Sequence, residues 1–419
     1  MVRITMALCV LGVGACDTAA QLEEDRAKNP SLHDGRNGMA DLPFASGGAG
    51  DLVLVPQDKG ALSPACLDGS PYGFYFVPSP TNSTKWTVSI SGGGWCYNES
   101  LCLERAGTGL GSSKKWAQQM GCGCMNLKDG ATWEDEDPID HDCNCIYSPY
   151  CDGASFAGYR EAPWPVPDSP GQALTFRGIK NFDALMDATL ERMGGTAEEL
   201  VLTGGSAGGL STFLHLDRAA KRFDPKKTRV TGAPVVGYFL DHDDFFKDEN
   251  NYTAWMRYIY GMQNLTSGPD GGLSEACVEA NPEDPHYCFM SPHENPFIET
   301  PFFVFNSKFD AWQIGNELQL KSWNTTAEMG AITAYGKDFD AAFEVVTKRA
   351  PRNGGFITTC ICHGCPWSDL VLEGRTSYQY YNDWYAANGS ATFHIDARGP
   401  NGDGALDALT ACAPFPKTE

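Results

Sequence analysis

Residues 200–210 constrain this chain most. An apolar run at 200–203 meets Gly204-Gly205-Ser206-Ala207-Gly208, and Leu210, Phe213, Leu214 and Ala220 then recur at helical spacing. A strand that turns straight into a helix with a serine at its apex is a nucleophile elbow. Small neighbours such as Gly204 and Gly208 permit the sharp turn, and the helix start offers free backbone N–H groups to an anion. An isolated G-x-S-x-G is also the pattern of an ordinary glycine-rich turn, so the reading depends on what else the chain supplies.

From about residue 50 onward, short strand-like runs alternate with helical patterns. The strand candidates are 52–55, 75–77, 86–90, 200–203, 229–231, 302–305 and 356–359. Ile179, Phe182, Leu185, Met186, Leu190 and Met193 fall on one helical face between two of them. Such alternation predicts an α/β fold with a mostly parallel central sheet and helices on both faces. The Gly-, Pro- and Cys-rich stretches at 105–170 and 265–300 read as insertions pinned by disulfides. Residues 46–419 read as a single catalytic domain, preceded by a polar arm at 21–45.

Composition bounds the function. Of 419 residues, 53 are acidic and 31 are Lys or Arg, a formal charge of −22. That balance excludes a general nucleic-acid binder, which needs a basic face. Residues 1–20 read as a signal peptide: Arg3 precedes an apolar stretch at 4–15 that is too short to span a bilayer. Val13-Gly14-Ala15-Cys16 also loosely fits a lipid-attachment box. Six Asn-x-Ser/Thr sites, at Asn82, Asn98, Asn251, Asn264, Asn324 and Asn388, favour a secreted glycoprotein instead. Of sixteen cysteines, Cys9 and Cys16 lie in the leader, and the remaining 14 suit up to seven disulfides in an oxidising compartment. The Cys-x-Cys pairs 122/124 and 143/145, and Cys360, Cys362 and Cys365 around His363, leave zinc as the alternative. Clean zinc-ligand spacing is missing, so no metal is expected.

A serine nucleophile needs a general base and an acid that orients it, in the order Ser, Asp or Glu, His for this elbow. Asp310 follows the apolar run 302–305 by a short loop. His363 follows the run 356–359 in a cysteine-bounded loop, whereas His394 alternates like a surface strand histidine. His215 lies nine residues past Ser206 on the elbow helix, too far along to reach it, and His242 between Asp241 and Asp243 reads as a solvated acidic loop. The strand 86–90 runs into Ser91-Gly92-Gly93-Gly94-Trp95-Cys96. A glycine-rich turn there would bring the N–H groups of Gly94, Trp95 and Ala207 to one oxyanion hole.

The motifs Ser91-Gly92-Gly93-Gly94-Trp95-Cys96, Tyr150-Cys151-Asp152-Gly153-Ala154-Ser155-Phe156, Gly205-Ser206-Ala207-Gly208-Gly209, Tyr238-Phe239-Leu240-Asp241, Asp310-Ala311-Trp312-Gln313-Ile314 and Cys360-Ile361-Cys362-His363 together resemble the pectin acetylesterase family, which includes the Notum carboxylesterases. The resemblance spans about residues 50 to 385. It implies an α/β-hydrolase-like fold and metal-free, cofactor-free hydrolysis of O-acyl esters. By motif match it makes Ser206 the nucleophile, Asp310 the orienting acid, His363 the base, and Gly94, Trp95 and Ala207 the oxyanion donors. Two departures are the acidic run Glu134, Asp135, Glu136 and Asp137 and the extra cysteines around His363.

Two substrate classes suit this triad. A polysaccharide acetylesterase needs a small acyl pocket beside an open groove, for which Trp95, Tyr97, Phe156 and Trp164 are the lining candidates, with buried packing the expected role of at least half of them. A lipid esterase needs a deep apolar pocket. The closer match of residues 150–156 and 310–314 to the plant-type pattern favours acetylated polysaccharide. A monomer with no membrane or nucleic-acid partner is expected. A secreted binding protein that kept the fold is the non-enzymatic alternative.

Overall fold

In the computed structural model, residues 49–57, 63–125, 142–245, 251–323, 325–349, 352–365, 367, 370–389 and 392–400 are described. The leader, the arm, the acidic run at 134–137 and the Asn324 site lie outside them.

Ten strands form one sheet. In chain order they are β1 (Ala49–Leu54), β2 (Gly73–Val77), β3 (Lys85–Ile90), β4 (Gln119–Gly121), β5 (Asn144–Ser148), β6 (Glu199–Gly205), β7 (Arg229–Val235), β8 (Phe303–Ser307), β9 (Gly354–Thr358) and β10 (Thr392–Ile395). Across the sheet they run β10-β9-β8-β7-β6-β3-β5-β2-β1-β4. The seven strands from β10 to β5 are parallel, and β2, β1 and β4 extend the sheet antiparallel. Central strands are buried on both faces, as a parallel sheet covered by helices requires.

All seven expected strands are present. The structure adds β5, which lies inside the stretch 105–170 and pairs with β3 along its whole length, as well as β4 and β10. His394 stands on β10, paired opposite Phe356, and its ring stacks on Tyr380.

Helices α1 (Glu99–Ala106), α2 (Gly178–Met193), α3 (Ala207–Ala220), α4 (Asn251–Met262), α5 (Ala311–Asn316), α6 (Thr326–Arg349) and α7 (Ser377–Ala386) supply most of the helical cover. The apolar face expected on α2 is buried except at half-buried Leu190. Among the described residues, disulfides join 66–151, 96–102, 122–145, 124–143, 277–288 and 362–365, and Cys360 is disulfide-bonded as well. The Cys-x-Cys pairs and the cysteines flanking His363 are therefore bonded sulfurs rather than thiolate ligands, which removes the zinc alternative there.

Register places the site. Ile90 pairs with Gly204, Gly205 with Val235, and Ser307 with Thr358. The carboxyl ends of β3, β6, β7, β8 and β9 thus share one edge, where open α/β sheets bind ligands.

Candidate active site

Ser206 follows β6 directly and sits at φ 58° and ψ −125°, a conformation few L-residues adopt. Its N–H donates to Val235 O at 3.0 Å, and its carbonyl accepts from Leu210 N–H, which starts α3. The flanking glycines are required by proximity. A Cβ on Gly204 would lie 2.4 Å from Gly208 O, and one on Gly208 would lie 2.3 Å from Ile90 O. Strand, loop and helix pack backbone to backbone here, so the serine is left at the crest, half-buried.

Asp310 follows β8 and caps α5, its Oδ1 accepting from Gln313 N–H at 3.0 Å. Its Oδ2 lies 2.7 Å from His363 Nδ1, and His363 Nε2 lies 2.8 Å from Ser206 Oγ. A carboxylate only accepts, so the imidazole proton belongs on Nδ1 and the Nε2 lone pair faces the serine hydroxyl. Asp310 is fully buried and the His363 side chain is 18 % exposed. The Cys362–Cys365 bridge straddles the histidine, and Ala311 N–H donates to Cys362 O, joining the Asp310 and His363 loops. The three expected residues therefore form a continuous hydrogen-bonded relay.

The loop after β3 completes the arrangement. A Cβ on Gly92 would stand 2.8 Å from Ser206 Cβ, so this loop abuts Ser206. Gly94 has φ 63°, a conformation that favours glycine. Ala207 opens α3, where the helix leaves its first N–H groups without intrahelical partners. The rest of the expected histidines play other parts. His215 is fully buried, stacks on Phe182 and reaches Ser155 O at 3.1 Å, and burial pushes its imidazole down to about 3. His242 pairs with Asp338 at 3.1 Å.

Four rings cluster on the imidazole side, and of these the motifs had assigned a part only to Trp95. Trp95, Phe239, Tyr252 and Trp312 pack at centroid separations of 4.9 to 6.3 Å, mostly edge to face. Phe239 and Trp312 lie 6.2 and 6.3 Å from the His363 ring. Trp95, Phe239 and Tyr252 are buried, whereas Trp312 is half-buried. Phe239 and Trp312 follow β7 and β8 within the quoted motifs, so their strand-end positions were a usable signal. Tyr252 had none. Below them, Gln313 ties the two loops, accepting from Leu240 N–H at 2.9 Å and donating to Tyr238 O at 3.1 Å. Tyr335 O–H donates to Glu317 at 3.0 Å; burial, with Asp310 and Asp241 adding, holds that carboxyl well above the usual carboxylate range.

The expected groove residues need correction. Phe156 is fully buried between Tyr72 and Tyr150, so it cannot face a substrate. Tyr97 is 8 % exposed beneath Trp255. Trp164 lines a separate pocket of about 400 Å³ with Glu99, Arg257 and Tyr258, its ring covered by Arg160 at 4.0 Å. Aromatic residues near a glycine-rich loop have no sequence mark that separates lining from packing; burial decides it.

Comparison with known proteins identifies the family. The pectinacetylesterase family model matches residues 46–404. Pectin acetylesterase 11 of Arabidopsis thaliana is 30 % identical over 73 % of this chain and 77 % of its own length. The palmitoleoyl-protein carboxylesterase Notum of Drosophila melanogaster is 28 % identical over 85 % of this chain and 52 % of its own length. The solved structure of the Wnt deacylase Notum from Drosophila superposes with a TM-score of 0.69 at 23 % identity, covering 84 % of this chain and 97 % of that one, a likeness of α/β-hydrolase-like fold. This chain belongs to the pectinacetylesterase family of carboxylic-ester hydrolases.

Proposed function

We propose that the protein is a secreted serine esterase that removes O-acetyl groups from polysaccharide. The observation that carries this reading is the relay from Ser206 Oγ through His363 to Asp310 at the carboxyl edge of the sheet. Ser206 Oγ attacks the ester carbonyl while His363 Nε2 takes its proton. Asp310 keeps the imidazole in the required tautomer and faces the imidazolium that forms. The tetrahedral oxyanion accepts hydrogen bonds from the N–H groups of Gly94, Trp95 and Ala207. Loss of one such donor costs roughly 10²–10³ in rate. His363 then protonates the departing sugar hydroxyl. Water gives a proton to His363 as it attacks the acetyl-serine, and acetate leaves as Ser206 recovers its proton.

Two features support a short acyl group. The Trp95, Phe239, Tyr252 and Trp312 rings pack against one another beside His363, so the space they occupy is closed to a long acyl chain on that side. The relatives named as pectin acetylesterases are up to 30 % identical to this chain. Secretion is supported by the leader and by the disulfides; among the described residues no helix is long and apolar enough to cross a membrane.

The test measures acetate release from a panel of acetylated polysaccharides beside hydrolysis of short- and long-chain acyl esters, with Ser206→Ala as blank. Acetate release with short-chain preference supports the proposal. A strong long-chain preference transfers the protein to the lipid-esterase reading, and activity equal to the blank on every ester refutes an esterase role.

A further inference from the structure

The oxyanion loop and the elbow come from different parts of the chain, and a third segment lies behind both. Residues 150–156 contain two consecutive non-glycine residues in the left-handed region, Ser155 at φ 49° and Phe156 at φ 61°. Such backbone costs on the order of 1–3 kcal/mol per residue and persists only where its surroundings enforce it. The enforcing contacts are explicit. Asp152 Oδ2 accepts from Ala154 N–H at 3.2 Å and Phe156 N–H at 2.9 Å, Ser155 N–H donates to Tyr150 Oη at 3.1 Å, and buried His215 reaches Ser155 O. Cys66–Cys151 anchors the start of the segment.

What this strained turn holds is the Ser155 hydroxyl. Trp95 Nε1–H donates to Ser155 Oγ at 2.8 Å, and Ser155 O–H donates to Ala207 O at 2.8 Å. One fully buried hydroxyl therefore ties the loop after β3 to the first residue of α3. From the opposite flank Arg105, on α1, donates to Gly93 O at 2.8 Å and to Trp95 O at 3.1 Å. In a trans peptide the C=O of Gly93 and the N–H of Gly94 point in opposite directions, so the guanidinium fixes that N–H away from itself. The Cys96–Cys102 bridge ties the same loop to α1, and Cys96 N–H is held by Gly153 O.

We propose that Ser155 and Arg105 are positioning residues that preset the oxyanion hole, Ser155 by joining Trp95 to Ala207 and Arg105 by fixing the peptide between Gly93 and Gly94. Neither touches the reacting atoms. The proposal rests on Ser206 being the nucleophile and on the assigned donors. Its logic is preorganisation: donors that need not reorganise stabilise the developing charge most, and a misplacement of about 1 Å costs on the order of 10²-fold.

The test uses Ser155→Gly and Arg105→Lys in the full chain. Glycine relieves the left-handed backbone while deleting the hydroxyl, and lysine keeps the charge while losing the fork that spans two carbonyls. The readouts are kcat per fluorophosphonate-titrated active site, KM, melting temperature and affinity for a trifluoromethyl ketone that mimics the tetrahedral oxyanion. Both variants should lose roughly 10-fold or more in kcat and in ketone affinity, with KM within about 2-fold of the parent. Counting only titrated sites removes any unfolded fraction from the rate. Parental kcat and ketone affinity in either variant would overturn that residue's role, as would a loss that disappears once rates are expressed per titrated site. The parent and Ser206→Ala run alongside: a parent with no Ser206-dependent esterase activity overturns the underlying catalytic reading and the proposal with it.

Discussion

On the proposed function, Trp312→Ala should raise activity on longer acyl chains relative to acetyl. Trp312 meets Trp95 at 5.5 Å, Phe239 at 5.3 Å and Tyr252 at 6.2 Å between centroids, beside His363 at 6.3 Å. It is the half-buried member of the four, so its loss opens the wall from the solvent side. Each acyl methylene that enters the vacated space is worth about 0.8 kcal/mol, so the four extra methylenes of a hexanoyl over an acetyl group bring about 3 kcal/mol. At about 1.4 kcal/mol per factor of ten, the ceiling is roughly 10²-fold in the hexanoyl-to-acetyl ratio of kcat/KM. Imperfect filling brings the expected gain to about 10-fold or more. The fold loses edge-to-face contacts worth about 0.5–1.5 kcal/mol each, a fall visible in the melting temperature. The assay compares acetyl, butyryl and hexanoyl esters of one alcohol, with rates expressed per titrated active site. A folded variant whose ratio equals the parent's would refute the claim that this ring limits the acyl pocket.

Other residues give separate checks. Asp310→Asn keeps an oxygen to cap α5 but presents an amide to His363 Nδ1; kcat should fall about 10⁴-fold with melting temperature nearly kept, and a fall below about 10-fold would contradict the assigned role. Gly208→Ala puts a Cβ 2.3 Å from Ile90 O, so urea denaturation should show a loss of about 1–3 kcal/mol or more. Asp152 is fully buried, and burial pushes its carboxyl up to about 7 from 3.8. The folded state then keeps a proton that the unfolded chain releases, and the contribution of Asp152 to stability falls as pH rises from about 4 to 7, by about 4 kcal/mol at most. Asp152→Asn lacks that slope, so its stability relative to the parent should rise across this window; a pH-independent difference in urea titrations would refute it.

The site was legible because each of its groups sits at a strand end that carries its own local signal. Gly204 and Gly208 announce the elbow, and Asp310 and His363 each follow an apolar run by a short loop. The sheet's register, which no single run reveals, brings those ends together. Sequence reading failed where structure is decided by distant contacts. Strand β5 has only five residues and is identified by its pairing with β3 and β2, while its Cys145 is consumed by a disulfide. The 24-residue helix α6 includes Gly330 and Gly336, which weaken its helical signal; Gly336 is there because the Phe309 ring lies against it, where a Cβ would come within 2.2 Å. Phe156 is a groove candidate and a packing candidate alike in sequence, and the left-handed backbone at Ser155 and Phe156 that goes with its burial has no sequence mark. Ser155 and Arg105 are ordinary polar residues until their partners are known.

The most direct test of the account is intact mass of the protein quenched within milliseconds of mixing with an acetyl ester, followed by peptide mapping. The account predicts a transient gain of one acetyl group, mapped to Ser206, that accumulates further when deacylation is slowed and is missing from Ser206→Ala. Rapid ester hydrolysis with the acetyl group on another residue, or undiminished hydrolysis by Ser206→Ala, would contradict it.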